Sequence, residues 1–298
     1  MKKQWKILIL IFAILIVFLM LVSFVRNNRQ NNPNDGGNLQ SNLNIQYGTN
    51  PFQKFDFYAP AGNVNSDTLI VIVHGGAWAA GDKSQFTPHS VFFSNKGYSA
   101  VNMNYRLAPY TNPSSNPDWS YKNPLYDISS VLKKVESDPA RYKLNPGYKI
   151  VLIGHSAGGH LSNLYGVEES AFGGDQPIAD VISLAGPTDF VSLETQGWES
   201  KAVEVYLNGA SYDEASPARQ VKSGDGTKYL LVLGIVQGTN PPSDGLVPEQ
   251  QVTIFEQMLK EKNDYVETLI LQGRDHNTIQ SLIPSNDAVA QKILTFIQ

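Results

Sequence analysis

The pentapeptide Gly154-His155-Ser156-Ala157-Gly158, directly behind the apolar run Lys149-Ile-Val-Leu-Ile153, constrains this chain more than any other stretch. A buried strand that ends in a glycine-flanked serine and continues as a helix from about Ala157 makes a sharp, strained turn. The residues around such a serine must lack bulky side chains. The turn lifts the Ser156 hydroxyl out of the sheet and sets it at a helix N-terminus, where developing negative charge is tolerated. The pentapeptide alone is common. Behind a strand, with matching partners, it points to a nucleophilic serine.

A nucleophilic serine needs a base to take its proton and an acid to orient that base. The five histidines are His74, His89, His155, His160 and His276. Only His276 lies late in the chain, behind the strand-like Tyr265-Val-Glu-Thr-Leu-Ile-Leu271. Alone it reads as a surface-loop histidine; with the serine turn upstream it reads as the general base. Asp244, in Asp244-Gly-Leu-Val-Pro248, follows the strand-like run 229–236 and is the expected acid. Asp189, behind the run ending at Leu184-Ala185, competes with it. Asp225 precedes its strand and so falls at the wrong end of a sheet, and Asp275 is too close to His276 to aim at its ring.

A third component follows the apolar run 68–73: His74-Gly-Gly-Ala-Trp78. Acyl transfer passes through an oxyanion, and backbone N–H groups aimed at it are the usual stabiliser. The donors expected here are Gly76, Ala77 and Ala157. His74 reads as a residue that organises the loop. Trp78 either lines a substrate pocket or packs the loop against the core.

These segments, with Tyr105-Arg-Leu-Ala-Pro109, Gly154-His-Ser-Ala-Gly-Gly-His-Leu161, Asp244-x-x-Val-Pro248 and Gly273-x-x-His276, together resemble a known family. It is the α/β-hydrolase esterases of the hormone-sensitive-lipase-like and HGGxW type. That group includes bacterial carboxylesterases, feruloyl esterase-like enzymes and kynurenine formamidases. The likeness runs from about residue 55 to the C-terminus. Ala77 stands where the lipase-like branch has glycine, which favours the HGGxW branch. Thr239-Asn-Pro-Pro-Ser243 inserts residues ahead of Asp244 where relatives have a tighter turn. The resemblance implies an α/β-hydrolase fold: a mostly parallel central sheet flanked by helices, with a short cap. It implies a serine carboxylic-ester hydrolase that works without a cofactor. Amide hydrolysis on the same fold, by an arylformamidase or peptidase-like enzyme, is the alternative chemistry. A noncatalytic binding module is the alternative class, set against an intact set of three reactive residues.

The N-terminus carries a separate message. Residues 7–25 form a stretch of nineteen that is apolar except for Ser23, behind Lys2, Lys3 and Lys6. Nineteen residues of helix cross a hydrocarbon core of ~30 Å. A cleaved leader has a shorter apolar core and small residues before the cut, which Leu21-Val-Ser-Phe-Val-Arg26 does not supply. The expectation is a transmembrane signal anchor over residues 1–26, with cleavage and secretion as the alternative. An Asn-rich linker over 27–50 and a catalytic domain over 51–298 follow. An anchored domain on a tether suits a position outside the cytoplasmic membrane and a small-molecule or polysaccharide-linked ester as substrate. The chain has no cysteine, so a disulfide framework is excluded.

A net charge of −4 without a basic cluster argues against nucleic acid as a partner. His155 and His160 are five apart, which does not match the i, i+4 pattern of a helical zinc site. Strand-like runs at 68–73, 100–104, 149–153, 181–184, 229–236 and 266–271 alternate with helical patterns at 125–136, 157–168, 248–262 and 287–297. Such alternation implies a parallel sheet with helices on both faces. Two segments read as long loops near the site: 107–124, with Tyr110, Trp119 and Tyr121, and 190–221, with Trp198, Tyr206 and Tyr212, whose aromatics either line a pocket or pack the loops onto the core.

Overall fold

The six apolar runs expected as strands are adjacent strands of one sheet. The structure is a computed structural model that describes residues 41–109, 118–172, 176–195, 201–222 and 226–298. Its strands are β1 (Ser41–Gln46), β2 (Lys54–Tyr58), β3 (Ser66–Val73), β4 (Ser99–Met103), β5 (Leu144–His155), β6 (Ile178–Leu184), β7 (Lys228–Ile235) and β8 (Tyr265–Gln272). They lie in the order β1-β2-β4-β3-β5-β6-β7-β8. β1 and β2 are antiparallel, as are β2 and β4; every later pairing is parallel.

Residues buried on both faces explain why β3, β5 and β7 read as continuous apolar runs rather than alternating ones. The helices that cover them are α1 (Thr87–Asn95), α2 (Asn123–Glu136), α3 (Ala157–Glu168), α4 (Phe190–Thr195), α5 (Lys201–Leu207), α6 (Pro217–Gln220), α7 (Glu249–Glu261) and α8 (Ala288–Phe296). In α2, Leu125, Ile128, Val131, Leu132 and Val135 recur at helical spacing and make one buried stripe. α3 is buried along all but its last residue, so it is the central helix of the layer.

Two expectations change, and one helix was not expected. Ser41–Gln46 lies inside the segment 27–50 assigned to a linker, yet it is a strand paired with β2. Its exposed sequence, Ser-Asn-Leu-Asn-Ile-Gln, carries almost no apolar signal because it is an edge. The segment 190–221 is not a plain loop: α4, α5 and α6 fall within it. Helix α1 has no amphipathic period because His89, Ser90 and Ser94 are buried beside its phenylalanines. The anchor expected over residues 1–26 lies outside the described residues. Among the described residues, no helix is long and apolar enough to cross a membrane.

Parallel strands end on the same side. The segments after β3, β5, β7 and β8 therefore bring His74, Ser156, Asp244 and His276 to one edge of the sheet, where ligands bind in such folds.

Candidate active site

Ser156 sits between β5 and α3 with φ 54° and ψ −121°, a conformation that non-glycine residues rarely adopt. Its amide donates to Leu184 O at 2.8 Å and its carbonyl accepts from His160 N at 3.0 Å, which hold the turn from both sides. A Cβ on Gly154 would overlap the Gly158 carbonyl, and one on Gly158 would overlap the Val73 carbonyl. Both glycines are thus required by close approach of backbones.

The three residues expected to react together meet. His276 Nε2 lies 2.8 Å from Ser156 Oγ, and His276 Nδ1 lies 2.7 Å from Asp244 Oδ2. A carboxylate only accepts, so Nδ1 carries the proton and Nε2 is left to accept from the serine hydroxyl. Asp244 is 1 % exposed, and its Oδ1 takes the amides of Leu246 (2.9 Å) and Val247 (2.6 Å). Among the described residues, its carboxylate forms no ion pair with a lysine or arginine. The inserted residues ahead of Asp244 do not pull it away. Thr239 Oγ1 donates to Val236 O at 2.9 Å and accepts from Ser243 N at 3.0 Å, closing the insertion into a loop.

The competing acids are elsewhere. Asp189 pairs with Arg219 Nε at 2.7 Å. Asp275 Oδ1 caps the amides of Asn277 (2.9 Å) and Thr278 (2.8 Å). Asp225 lies outside the described residues.

The loop after β3 is held in an unusual shape. Gly76, Ala77 and Trp78 have φ of 121°, 51° and 59°. For alanine and tryptophan this costs on the order of 1–2 kcal/mol each, so the surroundings must impose it. They do so through the segment leaving β4. Tyr105 Oη donates to His74 O (3.1 Å), and Ala108 N donates to Trp78 O (2.8 Å). Asn104 grips Asp82 Oδ2 (2.7 Å) and Lys83 N (2.5 Å), and Asn102 Nδ2 donates to Lys83 O. The Lys83 ammonium is buried against Asp56 at 2.7 Å. Among the described residues, nothing accepts from the amides of Gly76, Ala77 or Ala157. Gly76 and Ala77 are exposed residues.

His74 organises the loop as expected: its ring stacks on Tyr105 at 4.3 Å and its Nδ1 donates to Gly75 O at 2.6 Å. Trp78 packs rather than lining an open pocket. It is 3 % exposed, stacks on Tyr206 at 4.7 Å, and donates from Nε1 to His160 Nδ1 at 3.1 Å. Trp119, Tyr121 and Tyr206 are buried as well, which turns these expected pocket aromatics into the packing of the cap. Tyr110 and Trp198 lie outside the described residues. Burial pushes the pKa of His74, His89 and His160 down to about 4 and, with the charge of His276 added, that of His155 to about 3. These four rings are neutral near pH 7. Among the described residues, no group of three or more His, Asp or Glu is placed to hold a metal ion.

Sequence reasoning missed Asn102, Asn104, Asp56 and Lys83 as holders of the loop. Arg106 belongs to the scaffold: its Nε donates to both oxygens of Asp127 at 3.0 Å, and Gln53 joins them at 2.8 Å. A buried lysine and a buried carboxylate leave no mark in a sequence until the fold brings them together.

Comparison with known proteins identifies the family and the fold. The BD-FAE family model matches residues 55–259. A kynurenine formamidase from Salmo salar is 31% identical over 126 residues, 42% of this chain and 38% of that protein. The probable carboxylic ester hydrolase LipM of Mycobacterium tuberculosis is 27% identical over 214 residues, 65% of this chain and 45% of that protein. The chain thus spans less than half the length of either relative. Among solved structures, esterase B from Lactobacillus rhamnosis superposes with a TM-score of 0.73 at 17% identity, covering 96% of this chain and 93% of that one. At that identity the likeness is one of fold.

Proposed function

Since the chain belongs to the BD-FAE family and has the α/β-hydrolase fold, we propose that it is a serine carboxylic-ester hydrolase acting through Ser156, His276 and Asp244. The observation that carries this reading is the continuous chain Ser156 Oγ, His276, Asp244, at 2.8 and 2.7 Å, beside three unpaired amides. Ser156 Oγ attacks the acyl carbonyl as His276 Nε2 takes its proton, and Asp244 stabilises the imidazolium. The amides of Gly76, Ala77 and Ala157 receive the oxyanion. Collapse expels the alcohol, which leaves with the proton from Nε2. Water, activated by the same nitrogen, then releases the acid from the acyl-enzyme. No cofactor enters this sequence.

The substrates that suit this reading are short or medium acyl esters, either small molecules or esters on a polysaccharide. Turnover of p-nitrophenyl esters of increasing acyl length tests it. The wild type is expected to hydrolyse the short members, and Ser156→Ala to lose on the order of 10⁶-fold in kcat. An equally active Ser156→Ala would overturn it.

A second reading, amide hydrolysis of a formyl-aryl substrate, is favoured by the likeness to a kynurenine formamidase. Faster turnover of an N-formyl aryl amine than of any ester would select it. The apolar stretch 7–25 supports display outside the cytoplasmic membrane on a retained N-terminal helix. Protease digestion of intact cells tests that placement: the domain should be cleaved from outside, and full protection would refute it.

A further inference from the structure

The sheet order leaves a problem of alignment. β5, which delivers Ser156, and β8, which precedes His276, are separated by β6 and β7. The register between them passes through three successive pairings, and no direct pairing joins the two strands. The ring of His155 spans that gap: its Nε2 lies 2.8 Å from the backbone carbonyl of His276. A carbonyl only accepts, so Nε2 carries the proton and donates it. The two rings lie 4.9 Å apart, tilted at 47°, and Phe86 packs on His155 with its centroid 6.2 Å away. His155 is 5 % exposed, so its rotamer is fixed by its neighbours. On the other flank, His276 N donates to Asp244 O at 2.9 Å. His276 is therefore held at four atoms: its amide and Nδ1 by Asp244, its carbonyl by His155, and its Nε2 by Ser156.

We propose that His155 is a positioning residue for the reaction, holding the His276 backbone from the residue next to the nucleophile so that Nε2 stays within reach of Ser156 Oγ. This inference rests on the serine-hydrolase reading above. The neutral state of the ring suits the task, because a second cation beside His276 would oppose protonation of the base. An apolar side chain could fill the same space, but it could not donate. The donor therefore separates positioning from packing.

Three variants test this, with kcat, KM, melting temperature and the rate of fluorophosphonate labelling measured on each. In His155→Gln the amide nitrogen occupies nearly the place of Nε2 and can donate to the same carbonyl. In His155→Asn the donor is too short to reach, and in His155→Met there is none. Misplacing a base by about 1 Å costs about 10²-fold. The expected result is that Met and Asn lower kcat and the labelling rate by about 10–100-fold with KM within about threefold, and that Gln restores most of the loss. Should the Met variant fail to fold, the Gln and Asn pair still decides. Equal rates in Gln and Asn, or wild-type rates in every variant, would overturn the positioning role while an active wild type leaves the hydrolase reading standing. A folded wild type that neither turns over nor labels would overturn both.

Discussion

The Asp244 carboxylate meets the His276 ring at 2.7 Å across 32 residues of chain, and the two backbones are joined as well, His276 N to Asp244 O at 2.9 Å. Asp244 and His276 are thus joined through side chain and backbone alike. Asp189, the other acid to follow a strand into the same edge of the sheet, is occupied by Arg219. Asp244→Asn should lower kcat by about 10⁴-fold by disturbing the histidine tautomer. Asp189→Asn should leave kcat within a few-fold and act mainly on stability. Steady-state kinetics of the two variants separates them, and equal loss in both would contradict the assignment.

The Lys83–Asp56 pair predicts a stability pattern opposite in sign to a surface ion pair. Both side chains are more than nine-tenths buried, so removing one leaves a bare charge. Lys83→Met alone should cost about 3–5 kcal/mol in denaturant unfolding. Adding Asp56→Leu should recover much of that, because replacing a buried pair by apolar groups is often neutral. Recovery will be incomplete to the extent that Asn44 N loses its acceptor on Asp56. If the double variant is no more stable than the single one, the pair is not the dominant interaction there.

The buried histidines make the fold sensitive to acid. His74, His89 and His160 have pKa values near 4 and His155 near 3, below the ordinary 6.5, because burial disfavours the cation. The unfolded chain then binds more protons than the native state below pH 6.5, so stability falls as pH drops from about 6.5 towards 4. Asp180 and Glu168, whose pKa values burial raises, oppose this in part. The melting temperature should fall steeply across that window, and His89→Phe should flatten the slope. A melting temperature constant from pH 7 to 4 would contradict the burial of these rings.

Trp78→Phe isolates one hydrogen bond. The aromatic stack on Tyr206 survives, but His160 Nδ1 loses the indole donor at 3.1 Å. An unpaired buried acceptor costs about 1–3 kcal/mol. Unfolding should show that loss, while KM for a short ester changes little because the indole is packed away from solvent. A large KM change with unaltered stability would make Trp78 a pocket residue after all.

Elements built from local pattern were legible in the sequence. The six apolar runs became β3 to β8, the inner ones because strands buried on both faces must be continuously apolar, and the glycines around Ser156 reported a close approach that no other residue permits. That Ser156, Asp244 and His276 would meet was legible for a related reason: each follows the end of a parallel strand, and parallel strands end together. What could not be read was set by long-range pairing. Strand β1 is exposed at an edge and carries no burial signal, and α1 hides its period behind buried polar residues. The aromatics of the cap looked like pocket residues because loops favour them, yet Trp119 and Tyr206 bury against each other, Trp119 Nε1 donating to Tyr206 O at 3.0 Å. Nothing local marks His155 as a partner of His276, and only the fold aims its ring at that residue's carbonyl.

The central claim is that Ser156 is activated by His276. Wild type, Ser156→Ala and His276→Ala are incubated with a fluorophosphonate, and the adduct is mapped by mass spectrometry of the digested protein. The account predicts one adduct on Ser156 in the wild type, none in Ser156→Ala, and labelling slowed by several orders of magnitude in His276→Ala. An adduct at another serine, or equal labelling rates in wild type and His276→Ala, would contradict it.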